Sequence, residues 1–146
     1  MATEPDERIF SIAEANAALR VLAPRIERLQ ALRREAERLH DLLEVMWKRL
    51  EEDESVLSTI GERQQELDGL SQEFSRLVDE VDATGVVLRD LDMGLVDFPA
   101  RARGLPIFLC WRTGEARVGF WHGPAEGYAG RKPISTLADQ AGPKVT

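Results

Sequence analysis

The sequence contains few of the residues that most often carry out chemistry. Its 146 residues include one cysteine, one tyrosine and two histidines. The single cysteine, Cys110, cannot form an internal disulfide, which favours a reducing, cytoplasmic setting. The sequence also contains no P-loop, dinucleotide-binding fingerprint, serine-centred nucleophile elbow or paired-carboxylate motif. These absences leave no familiar catalytic motif from which an activity could be assigned.

Long hydrophobic runs are absent as well. No apolar run approaches the roughly 20 residues that a membrane-spanning helix requires. The N-terminal sequence MATEPDERIF is acidic and lacks the hydrophobic region of a secretory signal. We therefore expect a cytoplasmic protein without a membrane partner.

The net charge of −7 is unevenly distributed along the chain. Residues 1–84 contain 20 acidic and 11 basic residues, whereas residues 85–146 contain 6 acidic and 8 basic residues. An acidic first part repels nucleic acid, and the basic excess of the second part is too small for a nucleic-acid interface. The charge pattern therefore predicts no nucleic-acid partner.

The first helix is predicted to begin at a capping box. Ser11 is followed three residues later by Glu14, the spacing at which each side chain reaches a free backbone N–H of the other residue. Pro24 lacks an N–H and clashes with the preceding helical turn. We therefore predict a short helix over about 12–22 and a restart near residue 25.

Two long amphipathic helices are predicted, over about 25–53 and 56–82. Each has apolar residues at alternating spacings of three and four, which form one narrow stripe. The acidic run 51–54 indicates a turn between them, and Gly85 is predicted to end the second helix in a left-handed conformation. Residues 1–85 are thus expected to form an antiparallel helical hairpin. Because two helices leave part of their stripes uncovered, we expect further cover from the C-terminal part, from the first short helix or from a second subunit.

Residues 86–136 are predicted to form a small β module, followed by a flexible tail over 137–146. The β-branched run 86–88 and the segment 94–99 indicate strands, and the second of these is expected to stop at Pro99. A β-hairpin is predicted around Thr113-Gly114.

The register of this hairpin has two alternatives. In both, the continuously apolar segment 107–111 is expected to be an interior strand that is buried on both faces. A one-residue slip reverses the face on which each side chain lies. A two-residue turn pairs Leu109 with Val118 and Trp111 with Ala116, whereas a three-residue turn pairs Phe108 with Val118 and Cys110 with Ala116.

The most distinctive part of the sequence lies between Gly94 and Arg131. It contains GLVDFP (94–99), LCWRTGE (109–115), WHG (121–123) and GYAGR (127–131). With the start Phe10-Ser11-Ile12-Ala13-Glu14-Ala15-Asn16, these motifs closely resemble a bacterial family known only as domain of unknown function 2203. The resemblance covers about residues 9–134. It implies a small prokaryotic protein, and it brings no reaction, ligand or catalytic residue.

A polar cluster in this segment is the first candidate site. Two arginines could bind a small anion while a carboxylate orients them, or the same charges could form structural pairs across neighbouring strands. Both alternatives remain open on the sequence. The candidate ligand-binding residues are Asp97, Arg112, Glu115, His122 and Arg131.

Cys110 and His122 are also candidate metal ligands when combined with a carboxylate. Zinc accepts these ligand types, but the clustered CxxC or HxxxH spacing is absent, and a lone cysteine in an apolar strand is most often part of the core. Cys110 could instead be a nucleophile with His122 as its base. A nucleophilic thiol needs an exposed, electropositive environment, which an apolar strand does not provide.

The sequence therefore predicts an α+β protein with a long antiparallel helical hairpin and a small antiparallel sheet of three or four strands. The expected function is non-enzymatic: an interaction or scaffold protein that forms a homodimer through its long helices and contacts a protein partner. The alternative is a small-anion or metal-binding protein, or an enzyme, that uses the polar cluster on the sheet.

Overall fold

The computed structural model describes residues 8–137 and has the predicted α+β fold, with five strands instead of three or four. A 3-10 turn at Glu54–Val56 lies between the two helices. The helices are α1 (Ile12–Leu50) and α2 (Leu57–Ala83), and the strands are β1 (Val87–Asp90), β2 (Leu95–Ala102), β3 (Leu105–Arg112), β4 (Phe120–His122) and β5 (Lys132–Pro133).

The chain divides into two compact units. The sheet unit contains residues 8–27 and 80–137, and the hairpin unit contains residues 28–79. Both helices contribute to each unit, so the boundary between the units lies within continuous helices and differs from the predicted boundary after residue 85. No helix within residues 8–137 is long and apolar enough to cross a bilayer.

The start of α1 is the predicted capping box. Ser11 Oγ accepts a hydrogen bond from the Glu14 backbone N–H at 3.0 Å, and a Glu14 carboxylate oxygen accepts one from the Ser11 N–H at 2.9 Å. The predicted break at Pro24 is wrong, because α1 continues through it as one helix. Pro24 lies on the exposed side of the helix, while Leu22 and Ile26 on either side are buried. Core packing holds the turn together, and water can reach the carbonyl that loses its partner.

The turn between the helices and the end of α2 lie close to their predicted positions. Asp53 Oδ1 accepts a hydrogen bond from the Ser55 N–H at 3.0 Å, which caps the short turn. Gly85 follows α2 with a φ of 92°, a left-handed conformation that glycine adopts without steric penalty. A β-carbon at this position would lie 2.8 Å from the Arg8 β-carbon, so a side chain would also be excluded by contact.

The sheet is antiparallel with the strand order β1-β2-β3-β4-β5. As predicted, the apolar strand β3 lies in the interior, between β2 and β4. The predicted stop at Pro99 is wrong, since β2 continues to Ala102. The Pro99 carbonyl accepts the Phe10 N–H at 2.7 Å. The backbone N and O atoms of one strand residue point to the same edge of the strand. The Pro99 nitrogen therefore points away from β3, as its carbonyl does. The N–H that proline lacks would not have bonded to β3, so no β2–β3 hydrogen bond is lost.

Neither predicted register of the β3–β4 hairpin is correct. The observed pairs are Phe108 with His122, Leu109 with Trp121 and Cys110 with Phe120. The chain does turn at Thr113-Gly114, but it then leaves the sheet until residue 120.

Asn16 provides the physical reason for this longer loop. The Val118 N–H donates to Asn16 Oδ1 at 2.9 Å, and the Asn16 amide nitrogen donates to the Ile12 carbonyl at 3.0 Å. Val118 is therefore hydrogen-bonded to α1 instead of to β3. The tight hairpin lies instead at Arg103-Gly104, where both φ angles are positive, at 52° and 77°. Positive φ at both central residues is the requirement of a type I′ turn.

The main core of the sheet unit lies between the helices and one face of the sheet. Phe98 of β2 is fully buried and packs edge-to-face on Phe10, with ring centroids 5.2 Å apart. Leu109 of β3 is its cross-strand neighbour and is also fully buried. Because alternate residues of a strand point to opposite faces, Asp97 and Cys110 belong to the second face. They are buried there as well.

Candidate functional site

Three polar side chains lie together on this second face and define the Asp97 cluster: Asp97, Cys110 and His122. Asp97 of β2 is directly opposite Cys110 of β3, and His122 of β4 lies diagonally across from Cys110, opposite Phe108. The exposed fractions of the three residues are 1%, 0% and 3%. One potential ligand atom from each side chain lies within 4.8 Å of the other two. The structure thus brings together three residues that are far apart in the sequence.

Asp97 is the centre of a buried hydrogen-bond network. Its Oδ2 atom accepts a hydrogen bond from Arg89 Nε at 2.8 Å and lies 2.9 Å from His122 Nε2. The guanidinium of Arg89 also lies 4.9 Å from the centre of the Phe108 ring. The other oxygen, Asp97 Oδ1, is buried and makes no hydrogen bond of acceptable geometry within the described residues. Oδ2 therefore makes the charged contacts of Asp97, and the Cys110 thiol is a polar neighbour of the same carboxylate.

His122 lies between two hydrogen-bond acceptors. Its Nδ1 is 2.8 Å from the Gly123 carbonyl oxygen, and its Nε2 faces the Asp97 carboxylate. A carbonyl oxygen can only accept, so Nδ1 carries a proton. The Gly123 contact also fixes the ring so that Nε2 points into the cluster.

Cys110 is held as a neutral thiol. Burial raises the pKa of this thiol from its ordinary 9.0 to about 12, and the neighbouring Asp97 carboxylate acts in the same direction. Arg131 opposes the rise but does not cancel it. A nucleophilic cysteine requires an accessible thiolate. His122 is also engaged with Asp97, so the geometry does not support Cys110 as a nucleophile activated by His122.

A second group of residues surrounds Arg131, whose side chain is only 9% exposed. One of its terminal nitrogens lies 2.7 Å from a Glu115 carboxylate oxygen and 3.4 Å from the Cys110 carbonyl oxygen. The guanidinium stacks over Phe120 at 4.1 Å and over Tyr128 at 4.7 Å. These contacts fasten the segment after β4 onto the sheet, which is a structural role.

The five predicted ligand-binding residues therefore divide into two groups instead of one. Asp97 and His122 belong to the Asp97 cluster, while Glu115 and Arg131 pair with each other. Arg112 donates to the Tyr128 hydroxyl at 3.0 Å. Each arginine thus has one side-chain partner, and the predicted small-anion site stays a prediction.

Arg112 and Glu115 contact each other through the backbone of Arg112. The Arg112 backbone N–H donates to a Glu115 carboxylate oxygen at 2.8 Å, whereas the Arg112 guanidinium points to Tyr128. Sequence reasoning missed Arg89, which completes the network around Asp97. Val87 is opposite Asp97, and Arg89 lies two residues after Val87 on the same face of the strand. The position of Arg89 beside Asp97 can therefore be predicted only when the β1–β2 register is known.

The hairpin unit has a second feature of functional interest, which we call the hairpin groove. It lies between α1 and α2 and includes cavities of about 280 and 430 Å³ that share Arg33, Ala36 and Ser71. Its apolar lining consists of Leu32, Ala36, Leu67, Leu70 and Phe74.

Many apolar side chains of the hairpin unit remain incompletely covered. Within residues 57–79 of α2, Ile60 is the one buried apolar residue among those described. Four large apolar residues around the tip of the hairpin are exposed: Leu42, Val45, Trp47 and Leu57. Five apolar residues of α2 are only half-buried: Leu67, Leu70, Phe74, Leu77 and Val78.

Comparison with known proteins identifies one family. The family model described as Uncharacterized conserved protein (DUF2203) matches residues 8–134, which is most of the chain. No curated protein and no solved structure matches the chain.

Proposed function

Because the chain belongs to the DUF2203 family of uncharacterised conserved proteins, we propose a function from the geometry of the molecule: a non-enzymatic interaction protein that self-associates through its hairpin unit. We place it in the bacterial cytoplasm, since its family resemblance is to bacterial proteins and its one cysteine fits a reducing compartment. Its further partner is a protein.

The observation that carries this proposal is the incomplete burial of α2. An amphipathic helix is stabilised mainly by burial of its apolar stripe. Here the stripe of residues 57–79 has one buried member, Ile60, and the half-buried members line the hairpin groove. Apolar surface of this kind, bordered by charged residues, is typical of a protein–protein contact. A helix laid along the groove would cover Leu70 and Phe74.

A second copy of the hairpin is the occupant that the charges favour. Residues 28–50 contain six basic and four acidic residues, whereas residues 51–79 contain two basic and nine acidic residues. In a twofold-symmetric dimer the same surface meets itself, so α1 of each copy can lie against α2 of its partner. This arrangement places the basic segment against the acidic one. The alternating three- and four-residue spacing fits coiled-coil packing between them.

A non-enzymatic role follows from the state of the reactive groups. The Cys110 thiol is buried with a raised pKa, and the candidate arginines are engaged by Glu115 and by Tyr128. Catalysis needs a reactive group that a substrate can reach. Asp97, Cys110 and His122 offer a buried network instead.

Leu70→Glu tests the proposal directly. A carboxylate in the hairpin groove would have to be desolvated in the dimer, so we expect dimer affinity to fall at least about tenfold. Gln72→Glu is the matched control, because it adds the same charge to α2 at an exposed position. Sedimentation equilibrium would give the dissociation constants, and far-ultraviolet circular dichroism would verify that both variants are helical.

Equal dissociation constants for Leu70→Glu and the wild type would contradict the proposal. A loss of affinity in Gln72→Glu of the same size would also contradict it, since added negative charge anywhere on α2 would then explain the effect.

A further inference from the structure

We propose that Asp97, Cys110 and His122 form a binding site for a late first-row divalent cation, with Zn²⁺ as the best fit. This inference concerns the sheet unit and is independent of self-association through the hairpin unit. It rests on the geometry of the three side chains and on the unpartnered carboxylate oxygen of Asp97.

The spacing of the three ligand atoms matches the size of a zinc ion. Three points that lie within 4.8 Å of one another have a common point no farther than about 2.8 Å from each. Zinc bonds are about 2.0–2.3 Å long to nitrogen, oxygen and sulfur. Side-chain movements of at most about 0.5–0.8 Å would therefore complete the coordination. Such movements are small compared with a rotamer change, so the strands need not shift.

The ligand types select the class of metal. A thiolate and an imidazole favour zinc and its neighbours over Mg²⁺ and Ca²⁺, which prefer oxygen ligands throughout. Zinc is found with three protein ligands and one further coordination position that is open to water or another ligand. The ligands project from three adjacent strands of one sheet, and the interior strand β3 carries the thiol. The scaffold therefore positions them before any metal binds.

A metal site also needs neighbouring groups that orient its ligands, and the contacts around the Asp97 cluster provide them. The Gly123 carbonyl accepts the His122 Nδ1 proton, which leaves Nε2 to face the metal. Arg89 holds Asp97 through Oδ2, and Oδ1 is buried without a hydrogen bond. A buried carboxylate oxygen with no partner is costly. A cation bound beside this carboxylate would reduce that cost.

Binding exchanges protons for the metal. The ion would take the Sγ lone pair of Cys110 and the Nε2 lone pair of His122, and the thiol proton, with any proton on Nε2, would leave to solvent. Asp97 would contribute an ionised oxygen and release none. No oxidation or reduction is involved. Since all three ligands are buried in the folded chain, the metal would bind the folded form and raise its melting temperature.

The test is a titration of the full-length protein, freed of metal with EDTA, with Co²⁺ and then with Zn²⁺. Co²⁺ bound by a thiolate has an intense ligand-to-metal charge-transfer absorption in the near ultraviolet. We expect one equivalent to produce this absorption and Zn²⁺ to displace it. Cys110→Ser should abolish the band, because a hydroxyl cannot replace the thiolate. His122→Gln should weaken Co²⁺ binding at least about tenfold through loss of one ligand.

His40→Gln is the matched control, since His40 is the other histidine of the chain and lies exposed on α1. It should bind Co²⁺ like the wild type. Wild-type protein that shows no charge-transfer band and no zinc-dependent rise in melting temperature would overturn the proposal, whatever the variants do. Metal binding that persists unchanged in a folded Cys110→Ser variant, or that disappears in His40→Gln, would overturn it as well.

Discussion

Cys110 of the metal-free, folded protein is expected to react with iodoacetamide at pH 8 about 1,000-fold more slowly than the same thiol in the unfolded chain. The reactive species is the thiolate. With the pKa raised from 9.0 to about 12, roughly one molecule in 10⁴ carries a thiolate at pH 8, compared with about one in ten when the pKa is ordinary. Because the side chain is also fully buried, steric exclusion can only slow the reaction further.

The measurement is simple because Cys110 is the only cysteine in the sequence. Intact-mass spectrometry at timed intervals would give the alkylation rate in buffer and in concentrated urea. For the folded protein the rate should rise about tenfold for each pH unit between 7 and 10, since the pKa lies above this range. Similar rates in the two conditions would show that the thiol is open to solvent and would contradict the buried Asp97 cluster.

Asp97→Ala is expected to lower the free energy of unfolding by about 3–5 kcal/mol, the usual cost of removing one partner from a buried ion pair. The variant leaves the His122 ring, whose side chain is 4% exposed, without its carboxylate. It also frees Arg89, but that side chain is 42% exposed, so water can replace much of the lost contact. Most of the destabilisation should therefore come from His122.

Urea denaturation followed by circular dichroism would measure this effect. Asp68→Ala is the matched control, because Asp68 is exposed on α2 and its bond to Gln64 lies between residues one helical turn apart. We expect this control to change stability by less than about 0.5 kcal/mol. If Asp97→Ala cost no more than Asp68→Ala, the network centred on Asp97 would have no energetic importance.

The helices could be predicted well from the sequence because their determinants are local. The stripe spacing predicted two long antiparallel helices, and Ser11 and Glu14 predicted the start of α1, as found. The exception is Pro24, where the local rule predicted a break. Burial of Leu22 and Ile26 outweighs the loss of one hydrogen bond there.

The sheet was harder to predict because its register depends on contacts between distant residues. The Val118 N–H bonds to Asn16, 102 residues earlier in the sequence. No pattern within the segment 106–122 contains that information. The tight turn lies at Arg103-Gly104, whereas Thr113-Gly114 is the stronger turn signal in the sequence and predicts the hairpin at the wrong place.

The candidate site was only partly predictable. The side-chain types of Asp97, Cys110 and His122 indicate them as candidate site residues, and the strand register places them together. It did not indicate Arg89, whose role depends on the β1–β2 register. The fold gives two residues of the start motif 10–16 a structural role. Phe10 packs on Phe98, and Asn16 accepts a hydrogen bond from the Val118 N–H.

Sedimentation equilibrium of the wild-type protein would show whether a second copy completes the hairpin unit. The chain mass is 16.4 kDa. Over a loading series from low-micromolar to near-millimolar concentration, we expect a reversible shift to a species of twice that mass. A single species at 16.4 kDa across the whole series would show that the hairpin unit does not self-associate.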